Sequence, residues 1–462
     1  MTPDQIKYSK YWRFPKPKSS YVSDNYSPLS ETKVPQQKFY DEYHTSGHGI
    51  YDPLVYQDIR VPNDDGGFDI HYVNRISLPI QSDSVDIVLA HMLGNKTQFS
   101  DSTVGENNAD IMSKYKELWE EKGIDILRND LIKSVLSVGD GAVLFYRDTD
   151  TKEFKWKVLS FLDGEQIYEK KDKFGKLEYF GRFYSQLSET GELTNYCDII
   201  DKVNYITYSN TNGGWEVIES SAHGFRTIPV IYHFRKAGAY WTKVQSNIHN
   251  LEVMISRLSE DNRVKTKSKY HLKTDNPKSV STSSAGGTDM VVTDSTGDFK
   301  LISGADISGQ FKFEWDTCTE VIYNSLGMVF PKSKSSGDMP TGSMKMMFYP
   351  TERIVFQLIN EFNDIVNKIN NLFKEGITFE HPELSTELFK LKVNTSIKMF
   401  SPQDDSSVMT MLGQGKALGV ISTQTAAENA PYAANDEYKR IEEETAAASA
   451  QLALDTNPQP AN

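Results

Sequence analysis

The sequence predicts an α+β protein, elongated and divided into several domains, and three observations carry that prediction. Two long stretches repeat apolar residues at alternating steps of four and three: Val244, Ile248, Leu251, Ile255 and Leu258, then Leu358, Phe362, Ile365, Ile369 and Leu372. Each set forms one apolar stripe on a helix whose other faces are polar. Between 139 and 234 the pattern changes to strand-like runs around polar turns, as in GDGAVLFYRDTDTKEFKWKVL and IPVIYHF. A third texture, rich in Gly, Ser, Thr and Asp, fills 275–312 between helical stretches and reads as a small β module inserted among helices. At 462 residues the chain is long for a single core, so several parts are expected.

Composition narrows the classes. A hydrophobic fraction of 38% with 11% aromatics fits a folded protein with much polar or partner-facing surface. Fifty basic against 63 acidic residues gives a net charge of −13, so the molecule as a whole is repelled by nucleic acid and by anionic membranes. Any contact with DNA must then be local. The two cysteines, Cys197 and Cys318, are far apart and have no CxxC or Cys/His spacing, which argues against a disulfide framework or a zinc site. MTPDQIKYSKYWRFPKPK lacks an apolar core of signal-peptide length, and no run reaches the ~20 apolar residues of a membrane helix. The expectation is a soluble protein of a reducing cytoplasm, with no metal or cofactor.

In chain order, residues 1–69 are polar, rich in Tyr and Pro and without periodicity, and read as an N-terminal arm ordered only against a partner. ISLPIQSDSVDIVLAHML becomes helical after Pro79 and stops at Gly94; a longer helical stretch runs from Asn108 to about Ser137. The hairpin and strands follow. The helix carrying Val244 to Leu258 ends in RVKTKSKYHLK, where Arg263, Lys265, Lys267, Lys269 and Lys273 cluster. Their simplest role is to complement the negative end of the helix dipole, worth ~0.3–1 kcal/mol each. After the β module, with DMVVTD and FKLIS as strand pieces, helical periodicity returns from Phe313 to Leu326, with Gly327 as a stop. A helix that Pro350 kinks or restarts comes next, then strand-like ITFE and LFKLKVN, and helices from Ser406 to about Leu454.

The segment GMVFPKSKSSGDMPTGSMKMMF at 327–348 joins two helices at more length than such a connection needs. It places Lys332 and Lys334 among Ser333, Ser335 and Ser336, and the pattern suits either a solvated connector or a flexible loop making weak phosphate contacts. Enzyme signatures fail. GQGKALG at 413–419 misses the GxGxxG spacing by one and has no Ser or Thr after its Lys. HTSGH puts His44 and His48 four apart, but Gly47 and Gly49 argue against the helix that would make them a metal pair.

The order of segments and several local strings resemble the portal proteins of tailed bacteriophages, the ring-shaped gatekeepers of one capsid vertex. NRISLPIQSDSVDIVLAHMLGNK, LIKSVLSVGDGAVLFYRD, HGFRTIPVIYHFR and SLGMVFPKSKSSGDMPTGSMKMMF are similar to that family's successive segments. GKALGVISTQTAAENAPYAANDEYKRIEEE resembles its C-terminal run of Gly, hydrophobic-Ser, Thr, Pro-Tyr and an acidic ending. The first 60 residues match nothing in it, and its motifs are structural, so no catalytic residue carries over.

The resemblance implies a wing from 70–238 and 343–400, stem helices at 239–266 and 313–326, a clip at 267–312, a tunnel loop at 327–342 and a helical crown at 401–462. It implies a homo-oligomeric ring, usually a dodecamer, around a channel for double-stranded DNA. The partners it implies are a terminase packaging motor at the clip, neck or adaptor proteins, and the major capsid and scaffold proteins, with no membrane. The place it implies is the virion, at the capsid vertex, after assembly in the host cytoplasm. Lys332 to Ser336 would then face DNA, and the basic cluster from Arg263 to Lys273 would meet acidic groups on a docked partner. Another virion structural or adaptor protein, or an enzyme with a scattered active site, are the alternatives.

Overall fold

The computed structural model describes residues 35–62, 67–101, 109–148, 150–187, 193–210, 214–265, 269–273, 275, 289–293, 296, 308–329, 341–400, 405–428, 430, 438 and 440–447. The chain divides into two compact units, one of residues 1–330 and 350–400, the other of 331–349 and 401–462.

The first unit is built on helices α1 (Pro35–Tyr43), α2 (Ile80–Leu93), α3 (Ala109–Glu121) and α4 (Ile124–Val138). The stretch expected as one long helix from Asn108 breaks into α3 and α4 because Gly123 takes φ 63°, a left-handed conformation a side chain resists. Strand β4 (Asp140–Arg147) follows Gly139, itself at φ 85°, and pairs antiparallel with β5 (Phe154–Leu159) as the hairpin pattern predicts. β11 (Val230–Phe234) completes that sheet on the other edge of β4. A separate five-stranded antiparallel sheet runs β10-β9-β8-β7-β6, with β6 at Gln166–Lys171, β7 at Leu177–Leu187, β8 at Leu193–Ile200, β9 at Asn204–Asn210 and β10 at Trp215–Ala222.

Helix α5 (Gln245–Lys265) carries the first predicted stripe: Val244, Ile248 and Leu251 are buried, Ile255 and Leu258 half-buried. After it, β12 (Lys269–Lys273) and β13 (Asp289–Thr293) pair in parallel, so KYHLK is a strand and not the tail of the helix. FKLIS lies outside the described residues. Helix α6 (Ser308–Leu326) begins five residues before Phe313 and returns to the core through Ile322 and Leu326. Helix α7 (Thr341–Glu380) continues through Pro350 without restarting. Its residues Leu358, Phe362, Ile365, Ile369 and Leu372 are all buried, as their spacing predicts.

Two expectations give way. ITFE is not a strand but the last turn of α7: Ile377 is fully buried in the main core and Phe379 packs edge-on against Phe225, with centroids 4.9 Å apart. Packing on that helix face outweighs the β-branched composition. In LFKLKVN only Val393–Ser396 (β14) is a strand, paired with β3 (Gln98–Asp101), after the short helix α8 (Ser385–Lys390). The second is the arm. Residues 35–62 form α1, two 3-10 turns and β1 (Ile59–Pro62), which pairs with β2 (Phe68–His71), and they dock on the chain's own core. Ile50 is fully buried, and Gln36 donates to Asp140 at 3.0 Å. Residues 1–34 lie outside the described residues.

In the second unit, α9 (Asp405–Ala417) ends where Gly419 adopts φ 68° and Val420 N–H turns back to the Gly415 carbonyl at 2.9 Å. Ser422 then caps α10 (Thr423–Glu428), its hydroxyl accepting from Thr425 N–H at 3.0 Å. GQGKALG is therefore a helix C-terminus with its stop signal, not a phosphate-binding turn between strand and helix. Helical residues recur at 440–447.

Candidate functional site

The loop lysines Lys332 and Lys334, with Ser333, Ser335 and Ser336, lie outside the described residues. The base of their loop is described and firmly held. α6 ends at Leu326, and Gly327 takes φ 63°, where an added Cβ would stand 2.9 Å from Ile354 Cδ1. Glycine is required there both by conformation and by space. Tyr240 Oη donates to the Leu326 carbonyl at 2.6 Å, Met328 N–H donates to the Tyr323 carbonyl at 2.9 Å, and Thr351 Oγ1 donates to the Gly327 carbonyl. The carbonyls of Tyr323, Leu326 and Gly327 at the helix end are thus satisfied. Burial pushes the Tyr240 phenol well up, so it remains a donor at any physiological pH.

The two helices flanking the β module pack together. Ile248 and Leu251 of α5 share a core with Ile322 and Leu326 of α6, and Asn250 Nδ2 lies 3.4 Å from Glu314 Oε1. Phe313 stays 75% exposed on the outer face of α6.

Beside the apolar stripe of α5 runs a buried polar one, Glu252, Ser256 and Glu260, spaced by four. Glu252 accepts from Leu78 N–H at 3.0 Å and lies 2.5 Å from His48 Nδ1. Ser256 Oγ accepts from Ile76 N–H at 2.9 Å, and Glu260 lies 3.5 Å from His71. One face of α5 therefore binds the extended segment 71–78 and the 3-10 turns before it. Sequence reasoning missed this face, although acids and a serine repeating next to core positions were its available signal.

The basic cluster is divided. Arg263 is held by Glu260 at 2.5 and 3.1 Å, and that pairing keeps the Glu260 carboxyl below its ordinary range. Lys265 ends α5 and Lys269 begins β12, Lys273 is exposed at the end of β12, and Lys267 lies outside the described residues. His44 and His48 are not brought together as a metal pair: His48 turns inward to Glu252 while the His44 ring lies tilted against Tyr40, with centroids 4.5 Å apart. Among the described residues no group of three or more His, Cys, Asp or Glu side chains is arranged to hold a metal, and no helix is long and apolar enough to cross a membrane.

No curated protein matches the sequence. Among solved structures, a chain from the "Neck of empty GTA particle computed with C6 symmetry" is similar at 9% identity and a TM-score of 0.37, covering 79% of this chain and 90% of that one. The family model described as "Phage portal protein, SPP1 Gp6-like" matches residues 71–451. With more than four-fifths of its length inside that match, the chain belongs to the SPP1 Gp6-like family of phage portal proteins.

Proposed function

We infer that this portal protein is the subunit of a closed homo-oligomeric ring, a dodecamer, at one vertex of a phage capsid. The ring is the channel through which double-stranded DNA is packaged and ejected, and the platform on which a terminase motor and later neck proteins dock. One observation carries the reading: two packed helices, α5 and α6, flank a small β module, and a loop whose base is locked to the core follows the second helix. In an acidic subunit, Lys332 and Lys334 of the segment that follows supply a few weak phosphate contacts, which hold a sliding duplex without gripping it. The β module and the lysines leading into it, Lys265 to Lys273, are the surface for acidic groups of the docked partner. The family is structural, so translocation draws its energy from a separate motor. Negative-stain images of the purified full chain test the reading. Rings with a central hole are expected; monomers at every concentration and salt, alone and with capsid and scaffold components, overturn it.

A further inference from the structure

Close to the root of the loop, two cations, Arg235 and Lys243, line one small cavity, and a third, Arg353, stands next in sequence to the lining residue Ile354. Arg235, just past β11, Lys243, just before α5, and the wall of α7 enclose a cavity of about 210 Å³ whose lining includes Tyr240, Ile354, Gln357 and Glu361. Glu361 is the one carboxylate in that lining, and it is already engaged: His233 lies 3.4 Å and Arg235 Nε 3.5 Å from its Oε1. Lys243 and Arg353 are exposed, and neither forms a hydrogen bond or ion pair among the described residues. Partial burial of its stem lowers the Lys243 ammonium's pKa, and the positive charges of Arg235 and Arg353 lower it further. Like charges so placed repel one another and favour an anion beside them.

Two residues of the cavity also hold the loop's root. Tyr240 donates to the Leu326 carbonyl, and Ile354 closes on Gly327.

We propose that Arg235, Lys243 and Arg353 form a binding site for a phosphate of the DNA backbone, a second and fixed contact beside the loop. This proposal rests on the portal reading above. Glu361 orients Arg235 and keeps the site from binding too strongly, because one carboxylate offsets one of the three cations. The contact reads no base, since only charge and a small cavity are offered.

The test uses rings of the full-length protein and a double-stranded DNA fragment, with affinity measured over a series of salt concentrations. For the double variant Lys243→Gln/Arg353→Gln, binding weakens equally for unrelated DNA sequences. The slope of log affinity against log salt becomes shallower by about 0.9 for each phosphate no longer neutralised. Lys243→Arg/Arg353→Lys keeps the charges and restores the parent slope. An unchanged slope in well-formed rings overturns the proposal, as does a parent ring that binds no DNA at low salt. Loss of rings in the Gln variant with undiminished DNA binding by its subunits also overturns it, and assigns the cations to carboxylates of a neighbouring copy. A parent chain that forms no ring under any condition is a separate result and counts against the portal reading itself.

Discussion

His48 Nδ1 lies 2.5 Å from Glu252 Oε1, with the two side chains 1% and 0% exposed, although 204 positions separate them in sequence. This contact fastens the turns after α1 to the middle of α5. Glu252 also accepts the Leu78 N–H, so a single carboxylate holds two segments that have little periodicity of their own. The His48 ring is in turn engaged on its far side, Nε2 lying 2.9 Å from the Glu42 carbonyl.

Removing one partner of a buried charged or hydrogen-bonded pair leaves the other without solvent or partner. Glu252→Ala is expected to cost on the order of 3 kcal/mol. The measurable outcome is a lowered thermal midpoint together with new protease cleavage between residues 44 and 56, where the docked turns lie. A midpoint and cleavage pattern like the parent's would show that the contact adds nothing to docking.

Asp140 gives a pH dependence of definite sign. Its carboxyl is fully buried at the start of β4, near Gln36 Nε2 at 3.0 Å and Tyr232 Oη at 3.3 Å, and burial raises its pKa from 3.8 to about 7. Between those two values the folded chain binds a proton that the unfolded chain has released. Stability therefore falls as pH rises from about 4 to about 7, by at most ~1.4 kcal/mol per pH unit. Asp140→Asn should lack this component, so the stability of the variant relative to the parent should grow over that window and level off above it. A difference that stays constant from pH 4 to 8 would refute the assignment.

Gly376 lies on α7 directly against Phe154. A Cβ at 376 would meet that ring at 2.0 Å from Cε2 and 2.3 Å from Cδ2. Alanine in a helix ordinarily gains about 0.5–1 kcal/mol over glycine, but overpacking of this kind costs about 1–3 kcal/mol. The clash is expected to win, and Gly376→Ala should lower the unfolding midpoint. Pairing it with Phe154→Leu should recover part of the loss, which thermal unfolding of the double variant measures.

For the loop, Lys332→Ala/Lys334→Ala is expected to alter packaging or genome retention by a salt-dependent amount, with no change in sequence preference and no loss of rings. Particle assembly with the variant, scored for packaged DNA at several ionic strengths, measures it. Packaging and retention equal to the parent across that range would make the lysines a solvated connector.

Periodicity alone determined the long helices, because a stripe such as Leu358, Phe362, Ile365, Ile369 and Leu372 has one way to bury itself and the structure buries all five. Gly94 and Gly327 were legible as helix stops from glycine's place after an apolar run, but the structure uses them differently: Gly327 turns left-handed at φ 63°, whereas Gly94 stays right-handed and leaves room for Phe400, whose Cβ would stand 2.9 Å from an added Cβ. What only the tertiary structure decided depends on distant partners. ITFE has the composition of a strand, yet it is helical because Phe225 stands against Phe379, while Lys122 and the Phe154 amide meet Glu380. Residues 35–62 show no pattern because they are held by single contacts, Gln36 to Asp140, Glu42 to Trp241 and His48 to Glu252, and a single contact leaves no repeat to read. The cluster of Arg235, Lys243 and Arg353 was invisible for a related reason: its members come from three segments up to 118 positions apart, and charge adds in space, not along the chain.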